Sequence, residues 1–221
     1  MAGKMFGKNP KRGPKKGDGS TLQVVEIFPT LQGEGPFAGH PAVFIRLGGC
    51  NLACDFCDTE FESFHDMSVE EIVAKTSSSV ADLVVITGGE PLRQEIGPLC
   101  EALLAKGLRV QIETNGTLWR ELPAGVNIVC SPKVTNGAYH PIRPEVLERA
   151  DALKFIVSTT RPNYREVGEV GQAARKVPIY VQPMDEGSDQ QNRKNMLHAA
   201  ALAQTNGYRL SLQTHKILGI P

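Results

Sequence analysis

Along most of the chain, short apolar runs alternate with stretches whose apolar positions recur at helical spacing, and each run closes on a few polar or glycine residues. Residues 22–28 have the β-branched density of a strand and stop at Pro29. Residues 42–47 and 83–86 read as strands buried on both faces, and the pattern returns at 109–112, 126–129, 153–157 and 178–181. Between them the spacing predicts a helix from Ser68 to about Lys75, opened by the capping-box pair Ser68 and Glu71. Further helices are expected from about Leu92 to Ala105, from about Pro162 to Arg175 and from about Asp189 to Asn206, with a last strand over 208–212.

Apolar strands separated by helices predict parallel βαβ units covered on both faces, an α/β fold. Six such strands between Ala42 and Val181 are too few to close an eight-stranded barrel. The expected architecture is an open, partial β/α barrel with extra strands at its N- and C-terminal ends. At 221 residues, 41% of them hydrophobic, the chain supports one domain, placed at 21–221.

Charge changes the picture at one end only. The chain is formally neutral, yet its first twenty residues hold Lys4, Lys8, Lys11, Arg12, Lys15 and Lys16 against Asp18. A Lys/Gly/Pro segment buries too little apolar surface to fold, so 1–20 is expected to be a disordered basic tail, with no nucleic-acid role assigned to it. No apolar run approaches the roughly 20 residues that cross a bilayer, so a soluble cytoplasmic protein without a membrane partner is expected. Five cysteines with three clustered argue against a disulfide framework and for a reducing compartment.

The polar residues follow one rule. Arg46, the run Thr87 to Glu90, Glu113 to Asn115, Ser131 to Lys133, Gln182 to Asp185 and His215 each stand just past a strand's carboxyl end, where α/β folds gather ligands. Arg46 calls for a carboxylate partner, which the sequence leaves open between Glu34, Asp58 and an anionic substrate. The loop over 30–36, with Gly33, Gly35 and Pro36, is irregular and can bring Gln32 and Glu34 close to a ligand.

The most specific chemistry lies at 48–61, where Cys50, Cys54 and Cys57 fall in a C-x3-C-x2-C spacing on a loop opened by Gly48 and Gly49. Three thiolates are one short of a closed zinc site or a fully protein-ligated [4Fe-4S] cluster. His65 offers a fourth ligand for a zinc reading. Burial of the thiols as small hydrophobes fits poorly beside Asn51, Asp55 and Asp58. Cys100 and Cys130 fall in apolar runs and read as core thiols.

With Phe56 before the last cysteine and Thr87-Gly88-Gly89-Glu90-Pro91 downstream, the chain resembles the radical S-adenosylmethionine (SAM) superfamily. That resemblance implies a [4Fe-4S] cluster on Cys50, Cys54 and Cys57, whose open iron chelates SAM and whose electron cleaves it to a 5′-deoxyadenosyl radical. It also implies cofactor contacts from Phe56, Asp58, Gly88, Gly89, Glu90, Glu113, Asn115, Ser131, Pro132, Lys133, Gln182, Pro183, Met184 and Asp185. The opening loop at 31–35, Thr59 after Asp58, Glu113 to Gly116, Ser131 to Lys133 and the stretch Gln213 to Lys216 resemble more narrowly the 7-carboxy-7-deazaguanine synthase family. Carried over, that likeness implies conversion of 6-carboxy-5,6,7,8-tetrahydropterin to 7-carboxy-7-deazaguanine with loss of ammonia, SAM acting as a cofactor. Leu31, Gln32, Gly33, Arg46 and Thr87 would hold the pterin, Glu34 and His215 would stand beside it, and the terminal carboxylate of Pro221 would close the pocket. Thr59 would bind Mg²⁺ together with substrate oxygens. A flavodoxin or ferredoxin would donate electrons, and two copies of the chain would form a homodimer. The competing readings are a glycyl-radical-enzyme activase and a non-catalytic zinc or iron–sulfur protein.

Overall fold

The structure, a computed structural model, describes residue 7 and residues 9–135 and 137–221. The chain opens with β1 (Thr21–Leu31), β2 (Pro41–Leu47) and β3 (His65–Ser68), followed by α1 (Val69–Thr76), β4 (Leu83–Gly88) and α2 (Gly97–Ala105). Then come β5 (Arg109–Thr114), β6 (Val126–Cys130), a small hairpin of β7 (Val134–Thr135) and β8 (Ala138–Tyr139), and α3 (Pro144–Arg149). The last part holds β9 (Ala152–Val157), β10 (Ile179–Pro183), α4 (Asp189–Asn206), β11 (Arg209–Leu210) and α5 (Thr214–Leu218).

Among the described residues nine strands form one sheet in the order β11-β10-β9-β6-β5-β4-β2-β1-β3. From β2 to β11 every neighbouring pair is parallel, and β1 and β3 add antiparallel strands at one edge. The expected open, partial barrel with six parallel core strands and added terminal strands is therefore what the chain builds. Ile45, Leu83, Val84, Ile86, Ile112, Ile128 and Phe155 are fully buried, as strands covered on both faces require. Cys100 and Cys130 are core thiols, both fully buried.

Several local expectations change. β1 runs through Pro29 to Leu31, because β3 pairs only with Thr21 to Val24 and leaves the rest of β1 at an edge, where proline is tolerated. α1 has the expected cap: Ser68 Oγ accepts from Glu71 N at 3.2 Å while Glu71 Oε2 accepts from Ser68 N at 2.8 Å. The helix expected from Leu92 begins only at Gly97, after a tight turn over Pro91–Arg93. No continuous helix spans 162–175. That stretch holds short turns at Pro162–Tyr164 and Gln172–Ala174, interrupted at Gly171, whose φ of 106° lies in the left-handed region. Side chains there also compete for the backbone: Glu169 Oε1 accepts from Gly171 N at 2.7 Å and Gln172 Oε1 from Val170 N at 2.6 Å. The last strand shrinks to Arg209–Leu210, and His215 and Lys216 ride on α5.

The basic N-terminal segment is also a correction as far as it is described. Met1 to Phe6 and Lys8 lie outside the described residues. Residues 9–20 lie against the cysteine loop: Lys11 bridges to Cys50, Arg12 N donates to Cys50 O at 2.7 Å, and Lys15 N donates to Arg93 O at 2.7 Å. Backbone pairing, which composition does not register, holds this segment in place.

Candidate active site

The cysteine loop leaves the end of β2 through Gly48 and Gly49, and the loop after β4 leaves through Gly88 and Gly89. The two loops meet backbone to backbone, with Glu90 N donating to Gly49 O at 3.0 Å and Gly89 N to Leu47 O at 3.2 Å. A Cβ at Gly89 would collide with the Gly49 carbonyl, and one at Gly88, φ 146°, with that of Leu47. Glycine is required here for close approach. Arg93, 5% exposed, clamps the entry by donating from Nη2 to Gly48 O at 3.0 Å, and Gln94 bonds Gln23 on β1 through backbone N and O. Neither residue stood out in the sequence, since the local pattern read as helix.

Above this junction lies a cavity of ≈ 380 Å³ lined by Cys50, Cys54 and Cys57 together with the carboxyl ends of the parallel strands. Leu31 enters from the end of β1, Gln32 and Glu34 from the loop after it, Arg46 from β2, Thr87 and Gly88 from the end of β4 with Gly89 just past it, and Glu113 and Asn115 from the end of β5 and the residue after it. Ser131 and Lys133 follow β6, and Gln182, Pro183, Met184 and Asp185 follow or end β10. His215, Pro221, Phe56, Asp58 and Thr59 complete the expected residues that the cavity brings together.

Three expected residues do not line it. Glu90 is fully buried, with Oε1 accepting from Leu92 N at 2.9 Å and Thr114 Oγ1 at 2.7 Å and Oε2 accepting from Asn115 N at 2.7 Å. It ties the β4 loop to the β5 loop and lies behind the lining, where Gly88 and Gly89 face the cavity. Pro132 is buried behind Ser131 and Lys133. Gly33 packs against α5, where a Cβ would collide with His215 Nδ1.

Burial, with the Glu90 charge adding to it, pushes Cys50 up to about 12, and burial raises Cys54 and Cys57 as well. Asn115 Nδ2 reaches Asn51 Oδ1 at 3.0 Å and Asn51 Nδ2 reaches Thr117 Oγ1 at 2.7 Å, bracing the cysteine loop against the loop after β5. On the far side Phe56 packs edge-on to Tyr164, and Arg161 lies over Phe56 while donating to both oxygens of Asp55 at 2.8 and 2.7 Å.

The donor set tests the expected cofactor. Among the described residues no group of three or more His, Cys, Asp and Glu side chains is arranged to hold a single metal ion. His65, the candidate fourth zinc ligand, sits on β3 opposite Val24, outside the cavity lining. Three partly exposed thiols around one cavity suit an iron–sulfur cluster, which spreads thiolates over separate irons.

Arg46 finds a partner that the sequence did not indicate. Its Nε donates to Glu26 Oε1 at 2.6 Å across the β1–β2 pair, and it lies over the Phe28 ring. Glu34 and Asp58 bond other groups. Asp58 and Asp185 both accept from Lys216 of α5, Asp185 at 2.9 Å. Thr59 Oγ1 stands 3.2 Å from Asp58 Oδ1. Glu34 accepts from Lys154 on β9 and, at 2.9 Å, from Gln213 Nε2. Burial alone would raise the Glu34 carboxyl, but Lys154 overrides it and brings the group down to about 2. Burial raises Glu113, with Lys154 opposing and the Glu34 charge assisting, and lowers His215 and Lys133. Lys154 escaped the sequence reading because it stands inside an apolar strand run, not after one.

A family model described as the radical SAM superfamily matches residues 44–127. A 7-carboxy-7-deazaguanine synthase of Rickettsia prowazekii is 52% identical over 225 residues, covering 98% of this chain and 96% of that protein. One of Rhodospirillum rubrum is 47% identical over 98% of this chain and all of its own length. A crystal structure of QueE from Escherichia coli superposes with a TM-score of 0.73 at 30% identity, over 87% of this chain and 93% of that one.

Proposed function

The chain belongs to the 7-carboxy-7-deazaguanine synthase family of the radical SAM superfamily, and from that premise we propose that it contracts the ring of 6-carboxy-5,6,7,8-tetrahydropterin to 7-carboxy-7-deazaguanine with release of ammonia. The observation that carries the reading is a cavity that unites three thiols with a guanidinium and a set of partly buried carboxylates. When bound there, a [4Fe-4S] cluster and SAM supply the radical chemistry. Cys50, Cys54 and Cys57 would hold the cluster, and the backbone of Gly88 and Gly89, with Asn115, Ser131, Lys133 and the stretch from Gln182 to Asp185, would hold SAM.

The protein's own work is positioning and exclusion of water. Glu26 engages Nε of Arg46, and the Phe28 ring supports its plane, so the two terminal nitrogens remain to pair the substrate carboxylate in a fork. Leu31, Gln32 and Thr87 flank the pterin, and His215 on α5 stands over it with Pro221, whose O accepts from Thr30 Oγ1 at 2.6 Å. A lone hydroxyl holds magnesium weakly, so Thr59 takes Mg²⁺ together with substrate oxygens and water. A flavodoxin- or ferredoxin-type protein supplies the electron, the working form is a homodimer, and the setting is the cytoplasm. No helix among the described residues is long and apolar enough to cross a membrane.

Anaerobic incubation of the reconstituted chain with the tetrahydropterin, SAM, Mg²⁺ and reductant is expected to yield 7-carboxy-7-deazaguanine by mass spectrometry, with SAM largely conserved. Cys54→Ala should abolish it. Activation of a glycyl-radical partner in place of that product would overturn the assignment.

A further inference from the structure

The cavity lining holds an ion triad, a buried lysine between two partly buried carboxylates, to which the reaction as described assigns no task. Lys154 is 4% exposed and stands on β9 among the buried Leu153, Phe155 and Val157. Its ammonium donates to Glu34 Oε2 and, at 2.8 Å, to Glu113 Oε2. The outer oxygens are held too. Glu34 Oε1 accepts from Gln213 Nε2 at 2.9 Å, and Glu113 Oε1 accepts from Gln111 Nε2 at 2.9 Å and Gln32 Nε2 at 3.4 Å. Holding three ionised groups largely out of water carries a desolvation cost, and at the lysine an apolar residue of similar volume would serve packing as well or better. Stability alone therefore does not account for this lysine.

Two carboxylates around one ammonium leave the triad with a formal charge of −1, and all three side chains line the cavity. Each of the two carboxylates retains a lone pair for a further donor beyond those named, on either oxygen of Glu34 and on Oε2 of Glu113. A pterin offers a matching edge, with a 2-amino group and an adjacent ring N–H that both donate in one plane. Resting on the pterin reading, we propose that Lys154 is a positioning residue for substrate selection: its ammonium clamps Glu34 and Glu113 into one accepting edge that reads the amino and N–H donors of the 2-amino-4-oxopyrimidine ring. Without the ammonium the two carboxylates repel, and one takes up a proton and becomes a donor. The edge then loses its preference for a donating ring.

The test is calorimetric titration of the reconstituted holoenzyme with SAM bound, without oxygen, using 6-carboxytetrahydropterin and its 2-oxo counterpart. The wild type should prefer the 2-amino compound by about 100-fold or more, as expected when a built acceptor meets a missing donor. Lys154→Met should weaken pterin binding at least about tenfold and reduce the preference to within about threefold, leaving SAM affinity within about twofold. Should that variant not fold, Glu34→Gln, which removes one acceptor charge and keeps the Lys154–Glu113 pair, should likewise reduce the preference. A wild type that binds no pterin brings down the functional reading and this proposal with it. A wild-type preference that survives in both variants, or equal losses of SAM and pterin with the preference intact, overturns the role of Lys154 alone.

Discussion

Glu90 is where a motif residue and its motif's expected task part company. Its carboxylate accepts from Leu92 N, Thr114 Oγ1 and Asn115 N, so it braces the loop after β4 against the end of β5, while the glycines before it line the cavity. Glu90→Gln puts an amide NH2 opposite an existing donor in a fully buried place. The expected loss is about 2–3 kcal/mol of stability, measurable by chemical denaturation of the cluster-free chain. Glu34 gives a pH-dependent counterpart. Its carboxyl titrates near about 2 in the fold against an ordinary 4.5, so its stabilising contribution is complete above 4.5 and is lost as pH falls toward 2. Between about pH 6 and about pH 3 the wild type should lose about 2 kcal/mol more stability than Glu34→Gln, by urea titration at each pH. An equal loss in both would remove the Lys154 pairing as the cause.

Among the elements, α5 closes the cavity, since it brings His215 to the lining and sends Lys216 to Asp58 of the cysteine loop and Asp185 after β10. Lys216→Met should release this closure. Hydrogen exchange at 213–221 should rise about tenfold or more, and KM for the pterin should rise more than kcat falls; unchanged exchange would contradict the latch. The sequence displayed the parallel strands plainly, because apolar runs such as 83–86 are what two-sided burial demands, and the polar caps of those strands fell on one rim as expected. It concealed contacts made across distant segments. Arg46 pairs with Glu26 through a strand register, residues 9–20 order through backbone bonds to Cys50 and Arg93, and Lys154 sits inside a strand that its neighbours made look wholly apolar. The helix expected at 162–175 failed for a local reason instead: glycines and backbone-seeking Glu169 and Gln172 outweigh the apolar spacing of Val167 and Val170.

At the scale of the molecule, the sheet stays open, and its parallel strands direct their carboxyl ends toward one cavity. Glycine junctions at 48–49 and 88–89 set the cysteine loop on that rim with little freedom to shift. The account stands on three thiols that line one cavity, with no metal-holding group of His, Cys, Asp and Glu completed around them among the described residues, an arrangement that would leave one iron to SAM. Electron paramagnetic resonance of the anaerobically reconstituted, reduced protein, with iron and sulfide determined on the same sample, tests this most directly. About four irons and four sulfides per chain, with a cluster signal that shifts when SAM is added, are the expected result. A single bound zinc without sulfide, or a cluster signal indifferent to SAM, would contradict it.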